Sequence, residues 1–176
     1  MLRGFRVVHV FDVAQTDGEP LPDVAPVLLR DDAPTSLWQL LADQVTSQGY
    51  ELSRRDCRPA NGTTNYATRT VVVRDDLAAA QATKTLAHEL AHVLLHGGSD
   101  HGDPRSVVET EAESVAYLVC TSAGVVTDDY SFPYIARWSN GDLELIRKTA
   151  ERAIGCARRI LQETGLAAKA SSEVTV

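Results

Sequence analysis

The sequence predicts an α+β fold, a small and mostly antiparallel sheet packed on a helical bundle whose central helix carries His88-Glu89-Leu90-Ala91-His92. Three observations lead there. Short β-branched runs stay in the first half of the chain, and helical periodicity takes over from Asp75. Around the histidine pair, Leu86, Ala87, Leu90, Ala91, Val93, Leu94 and Leu95 make one helix apolar on nearly every face, which is the pattern of a buried central helix. A length of 176 residues suits one domain. Residues 1–165 are read as that domain and 166–176 as a frayed tail of small and polar residues.

In chain order, Phe5–Phe11 is expected to be a strand, being rich in β-branched and aromatic residues. Residues 14–34 hold four of the seven prolines and read as a surface loop. Thr35 or Ser36 is expected to cap a helix running to about Gln48, with Leu37, Leu40, Leu41 and Val45 on its inner face and Gly49 as its stop. Tyr50–Ser53 reads as a strand, Asn61-Gly62 as a turn, and Thr68–Arg74 as a further strand that feeds the central helix and lies along its cleft. Asp76 is the expected cap of that helix, Leu77–His96, and Gly97-Gly98 its end. Asp103-Pro104 opens a third helix to about Ser122, Tyr130–Trp138 is an aromatic connector, and Gly141–Thr164 is an amphipathic helix. Its apolar face is expected to hold Leu143, Ile146, Ala150, Ile154, Ala157 and Leu161.

Composition excludes several classes. Apolar residues make up 44% and charged residues 23%, enough for a packed core. No apolar run approaches the roughly 20 residues of a membrane helix, and the basic N-terminus lacks a small-residue cleavage site. Three widely spaced cysteines argue against a disulfide framework, so a cytoplasmic location is expected. A net charge of −7 argues against direct nucleic-acid binding by this chain alone.

The chemistry lies in the central helix. Histidines at i and i+4 share one face, so the imidazoles of His88 and His92 can converge on one ion, and zinc favours such ligands. Glu89 can then point at a metal-activated water as general base. A third protein ligand is required, and the next helix offers Glu109, Glu111 and Glu113. Glu109 and Glu113 share a face with Ala112 and Ala116, whereas Glu111 lies about 160° from its middle and is expected in solvent. Glu109 is the expected third ligand, with Glu113 its competitor; Glu113 otherwise accepts a ligand histidine's N–H. The competing role for Glu109 is a capping box with Ser106.

His88-Glu-Leu-Ala-His92, then Val-Leu-Leu-His96, and Glu109-Thr-Glu-Ala-Glu113 about twenty residues on resemble the ImmA/IrrE family of gluzincin-like metallopeptidases over roughly residues 35–125. The segments GFRVVHVFDVAQTDGEPLP and YSFPYIARW further resemble the metallopeptidase part of ArdC-type antirestriction proteins of plasmids and phages. The resemblance implies a zincin-like fold, zinc on His88, His92 and Glu109, and Glu89 as the base. It also implies that residues 1–34 correspond to the end of the ArdC-type N-terminal single-stranded-DNA-binding domain. The expected activity is a zinc-dependent endopeptidase acting on a protein or peptide, with a regulatory DNA-binding protein as the substrate suggested by analogy. The alternative is a non-catalytic, ArdC-like antirestriction or DNA-associated protein with a structural metal.

Other side chains are expected in plainer roles. His96 is expected to pack or cap the helix end, with a fourth-ligand role as its alternative, while His101 sits in a loop and His9 in a strand. Tyr66, Tyr130 and Tyr134 are candidate oxyanion donors that sequence does not rank. Arg147, Lys148, Arg152, Arg158 and Arg159 form a solvated helix face, and Cys120 and Cys156 fill the core.

Overall fold

The structure, a computed structural model, describes residues 28–97, 103–139 and 142–163. The strand expected at 5–11, His9, His101, Gly98, most of the 14–34 loop and the tail lie outside the described residues.

Helix α1 (Thr35–Ser47) buries Leu37, Leu41, Gln44 and Val45, the one face that its apolar spacing dictates. Neither Thr35 nor Ser36 caps it. Thr35 is already helical, no side chain closes the end, and Pro34, its φ preset by the ring, carries the chain in. At the other end Gly49 adopts a φ of +76° that a side chain would resist. Arg69 donates to the carbonyls of Gln48 and Gly49 there, placing a cation at the negative pole of the helix.

Strands β1 (Glu51–Arg54), β2 (Gly62–Asn65) and β3 (Thr70–Val73) form a sheet in the order β1-β3-β2. β1 runs parallel to β3 and β2 antiparallel to it, so the sheet is mixed where a mostly antiparallel one was expected. The reason lies in β2. Asn61-Gly62 does not reverse the chain; Gly62 opens an unanticipated strand, and the turn falls at residues 66–69. β3 occupies the middle, and Val71, Val72 and Val73 are buried, as a central strand covered on both faces requires.

Helix α2 (Ala79–His96) is the axis of the fold, and every residue from Ala80 to Val93 is buried. Asp76 does not cap it, because that carboxylate takes the Arg74 guanidinium at 2.6 Å and the helix begins at Ala79. Helix α3 (Arg105–Ser122) packs along α2 and carries fully buried Ala112 and Ala116, which permit close helix approach. Pro104 stands just outside α3, its carbonyl accepting from Val107 and Val108, and Gly124 ends the element at a φ of +78°.

The aromatic connector is in fact a helix, α4 (Asp128–Ser139), with Pro133 inside it. Tyr130, Tyr134 and Trp138 recur every fourth residue; the two tyrosine rings stack at 5.5 Å, and Trp138 lies tilted 6.1 Å beyond. Helix α5 (Leu143–Glu163) is capped by Asp142, whose Oδ1 accepts from the backbone of Glu144 and Leu145. Its buried face is rotated from the expected one: Thr149, Ala153, Cys156, Ala157 and Ile160 face inward, while Leu143 and Ile154 are exposed. Small residues and a threonine, whose hydroxyl bonds Leu145 and Ile146 carbonyls, let α5 lie close on α3, which bulky side chains would prevent. Among the described residues no helix is long and apolar enough to cross a membrane.

The rotated face separates two isoleucines on one helix. Ile160→Ala, at a fully buried position, is expected to cost about 2–5 kcal/mol in urea unfolding, and Ile154→Ala less than about 0.5 kcal/mol.

Candidate metal centre

α2 and α3 bring His88, His92 and Glu109 together, with one ligand atom of each within 4.8 Å of the others. The two histidine Nε2 atoms are 3.0 Å apart, and Glu109 Oε2 lies 3.4 Å from that of His88 and 3.9 Å from that of His92. Two imidazole lone pairs so close repel unless a proton or a cation lies between them. Both Nδ1 atoms are turned outward to other partners, so only Nε2 is offered to the centre: Glu113 Oε2 at 3.1 Å for His88, and His96 Nδ1 at 3.3 Å for His92. Two imidazoles and a carboxylate suit a catalytic divalent cation of the zinc type.

Electrostatics favours positive charge here. Burial works against a charged His88, but hydrogen bonds to Glu109 and Glu113 outweigh it and raise its pKa to about 9. Burial and the neighbouring His88 push His92 down to about 3, so the pair takes up one positive charge and refuses a second. Burial opposes ionisation of Glu109 and Glu113 as well. His88 nonetheless lowers Glu109, and Lys84 with His88 brings Glu113 to about 2.

Lys84, four residues before His88, is almost wholly buried and lies 2.5 Å from Glu113 Oε2, beneath the Tyr130 ring at 3.6 Å from its centroid. Burial pushes its pKa down while Glu113 pulls it back. Sequence reading missed this lysine; a charge on an otherwise apolar helix is the signal that a buried partner exists.

Glu89 turns to the other side, toward β2. Its Oε2 accepts from the Thr64 hydroxyl at 2.7 Å, and burial raises its pKa despite His88 and Thr64. A Cβ on Gly62 would stand 2.7 Å from Glu89 Oε1 and 2.7 Å from Thr85 Cγ2, so any side chain here would have to displace Glu89 and Thr85. β2 and its flanks, not β3 as expected, line the cavity of about 510 Å³ that contains these groups. Tyr66, Tyr130 and Tyr134 all reach it; Tyr66 is half-exposed with its pKa raised by burial to about 12, and Tyr130 accepts from Asn61 Nδ2 at 3.1 Å.

Glu111 is not in solvent. It is buried, its Oε2 lies 3.0 Å from His96 Nε2, and its Oε1 lies 3.1 Å from Arg152 of α5. α5 packs against α3 as well as α2 does, so Glu111 is enclosed between His96 of α2 and Arg152 of α5. His96 is likewise buried, and Glu109 is no capping partner of Ser106, since α3 starts at Arg105 without a side-chain cap.

Over 62 residues the chain is 37% identical to an uncharacterized protein of Bacillus anthracis, a stretch covering 35% of this chain and 10% of that protein. No solved structure matches. Residues 44–128 match the family model of the IrrE N-terminal-like domain, Peptidase_M78, a span that includes α2, α3 and all three residues of the triad. This segment of the chain is therefore similar to the metallopeptidase-like domains of the ImmA/IrrE type.

Proposed function

We propose that the protein is a zinc-dependent endopeptidase. The observation that carries this reading is the convergence of His88 Nε2, His92 Nε2 and a Glu109 carboxylate oxygen, with Glu89 beside them on the same helix. His88, His92 and Glu109 would hold the ion, and the donor set leaves it open to water and substrate. Bound there, zinc supplies Lewis acidity that polarises a scissile carbonyl and lowers the pKa of water toward about 7.

The chain's own residues do the rest. Glu89 takes a proton from the attacking water and returns it to the leaving amine, and the burial that raises its pKa makes it a better base. Thr64 holds one oxygen of that carboxylate, and the absent side chain at Gly62 gives the other room. Tyr66 and Tyr134, both held protonated by burial, line the cavity as hydroxyl donors for the developing oxyanion. Among the described residues β2 is an edge strand, with backbone groups that can pair with an extended peptide. A protein segment is thus the substrate we infer, and the ArdC-type resemblance of the flanking segments suggests a regulatory DNA-binding protein as its source.

Three variants test this reading. Glu89→Gln is expected to keep zinc by elemental analysis yet lose about 10²- to 10⁴-fold in peptide turnover followed by mass spectrometry; unchanged turnover would overturn the mechanism. Glu109→Ala is expected to lose most bound zinc, and a native metal content in that variant would remove Glu109 from the ligand set. In Gly62→Ala the added methyl collides with Glu89, so turnover should fall along with about 1–3 kcal/mol of stability in a thermal melt.

A further inference from the structure

His92 is the ligand histidine that no carboxylate touches at Nδ1. That position is filled by His96, one turn on, whose far nitrogen reaches Glu111. We propose that His96 and Glu111 form a positioning relay that fixes the tautomer and ring orientation of His92 for zinc; the proposal rests on the zinc reading above.

Proton accounting leaves one arrangement. A histidine that offers the Nε2 lone pair to a cation carries its proton on Nδ1. His92 Nδ1–H therefore donates across 3.3 Å to His96 Nδ1, which must be bare. His96 then carries its own proton on Nε2 and donates it across 3.0 Å to Glu111 Oε2. The remaining Glu111 oxygen is held by Arg152 at 3.1 Å, and the same Arg152 nitrogen lies 3.5 Å from Asp103. His96 is 8% exposed and Glu111 1%, so neither has bulk water as a substitute partner. The line parallels the direct bond from His88 to Glu113, with an imidazole inserted because Glu111 stands further from the centre. His96 is thereby no ligand itself: both of its ring nitrogens are committed.

The test is zinc affinity, measured by competition with a chromophoric chelator, together with ¹⁵N NMR of the His92 ring. His96→Phe removes the acceptor and is expected to weaken zinc binding by about 10- to 100-fold, with His92 losing its single Nδ1–H tautomer in the metal-free protein. His96→Gln is expected to retain native affinity, since its amide oxygen can accept from His92 and its amide N–H can donate to Glu111. Glu111→Gln, nearly isosteric, is expected to show an intermediate loss, and it carries the test should His96→Phe fail to fold by circular dichroism. Native affinity in His96→Phe or in Glu111→Gln would overturn the relay. So would a folded His96→Gln as weak as His96→Phe, which would make His96 a ligand. An unsubstituted chain that binds no zinc would overturn the metal reading itself, whereas these variant results bear on the relay alone.

Discussion

Charge buried between α2 and α3 is the constraint around which this domain is arranged. Lys84, His88, His92 and His96 line one side of α2, while Glu109, Glu111 and Glu113 project from α3, and none of the seven is more than part-exposed. Ionised groups in so dry a place cost several kcal/mol each unless every one finds a counterpart. Each carboxylate meets two partners: Glu113 takes Lys84 and His88, Glu111 takes His96 and Arg152, and Glu109 faces the Nε2 atoms of His88 and His92. Two α-helices separated by alanines hold these groups in register, which loops could not do as rigidly.

Periodic features were the easiest to read. The i, i+4 histidines and the apolar wrapping of residues 86–95 define a buried helix in any context, because 3.6 residues per turn leaves no other way to bury them together. Helix ends were less legible. Thr35, Asp76 and Asp103 are good capping types, yet each lies one or more residues from the observed N-cap position, which Pro34, Ala78 and Pro104 occupy, and Asp76 is taken by the Arg74 ion pair. β2 escaped notice since Gly-Thr-Thr-Asn has no apolar alternation; it pairs with β3 at one end of the sheet order and meets α2 through the Thr64 hydroxyl and the bare Gly62. Glu111 was misplaced for a different reason. An angle on one helix says nothing about a second neighbour, and α5 covers what an isolated α3 would expose.

Function is legible to the same depth. Motif spacing is what suggests the proposed chemistry, and residues 44–128 match the model of the IrrE N-terminal-like domain. Gly62, Thr64 and Lys84 become meaningful only in three dimensions, since their partners lie between 25 and 29 residues away in sequence for Thr64 and Lys84 and are steric for Gly62.

The bond from Asn61 to Tyr130 joins a loop beside the sheet to α4, two walls that no stretch of shared backbone connects. With Tyr130 also resting on the Lys84 ammonium, the aperture between those walls is governed by side chains. Substitutions at Asn61 or Tyr130 can thus widen or narrow the entrance while α2 and α3 stay in place. Such an arrangement uncouples the contour of this cavity from the charged cluster held between the two central helices.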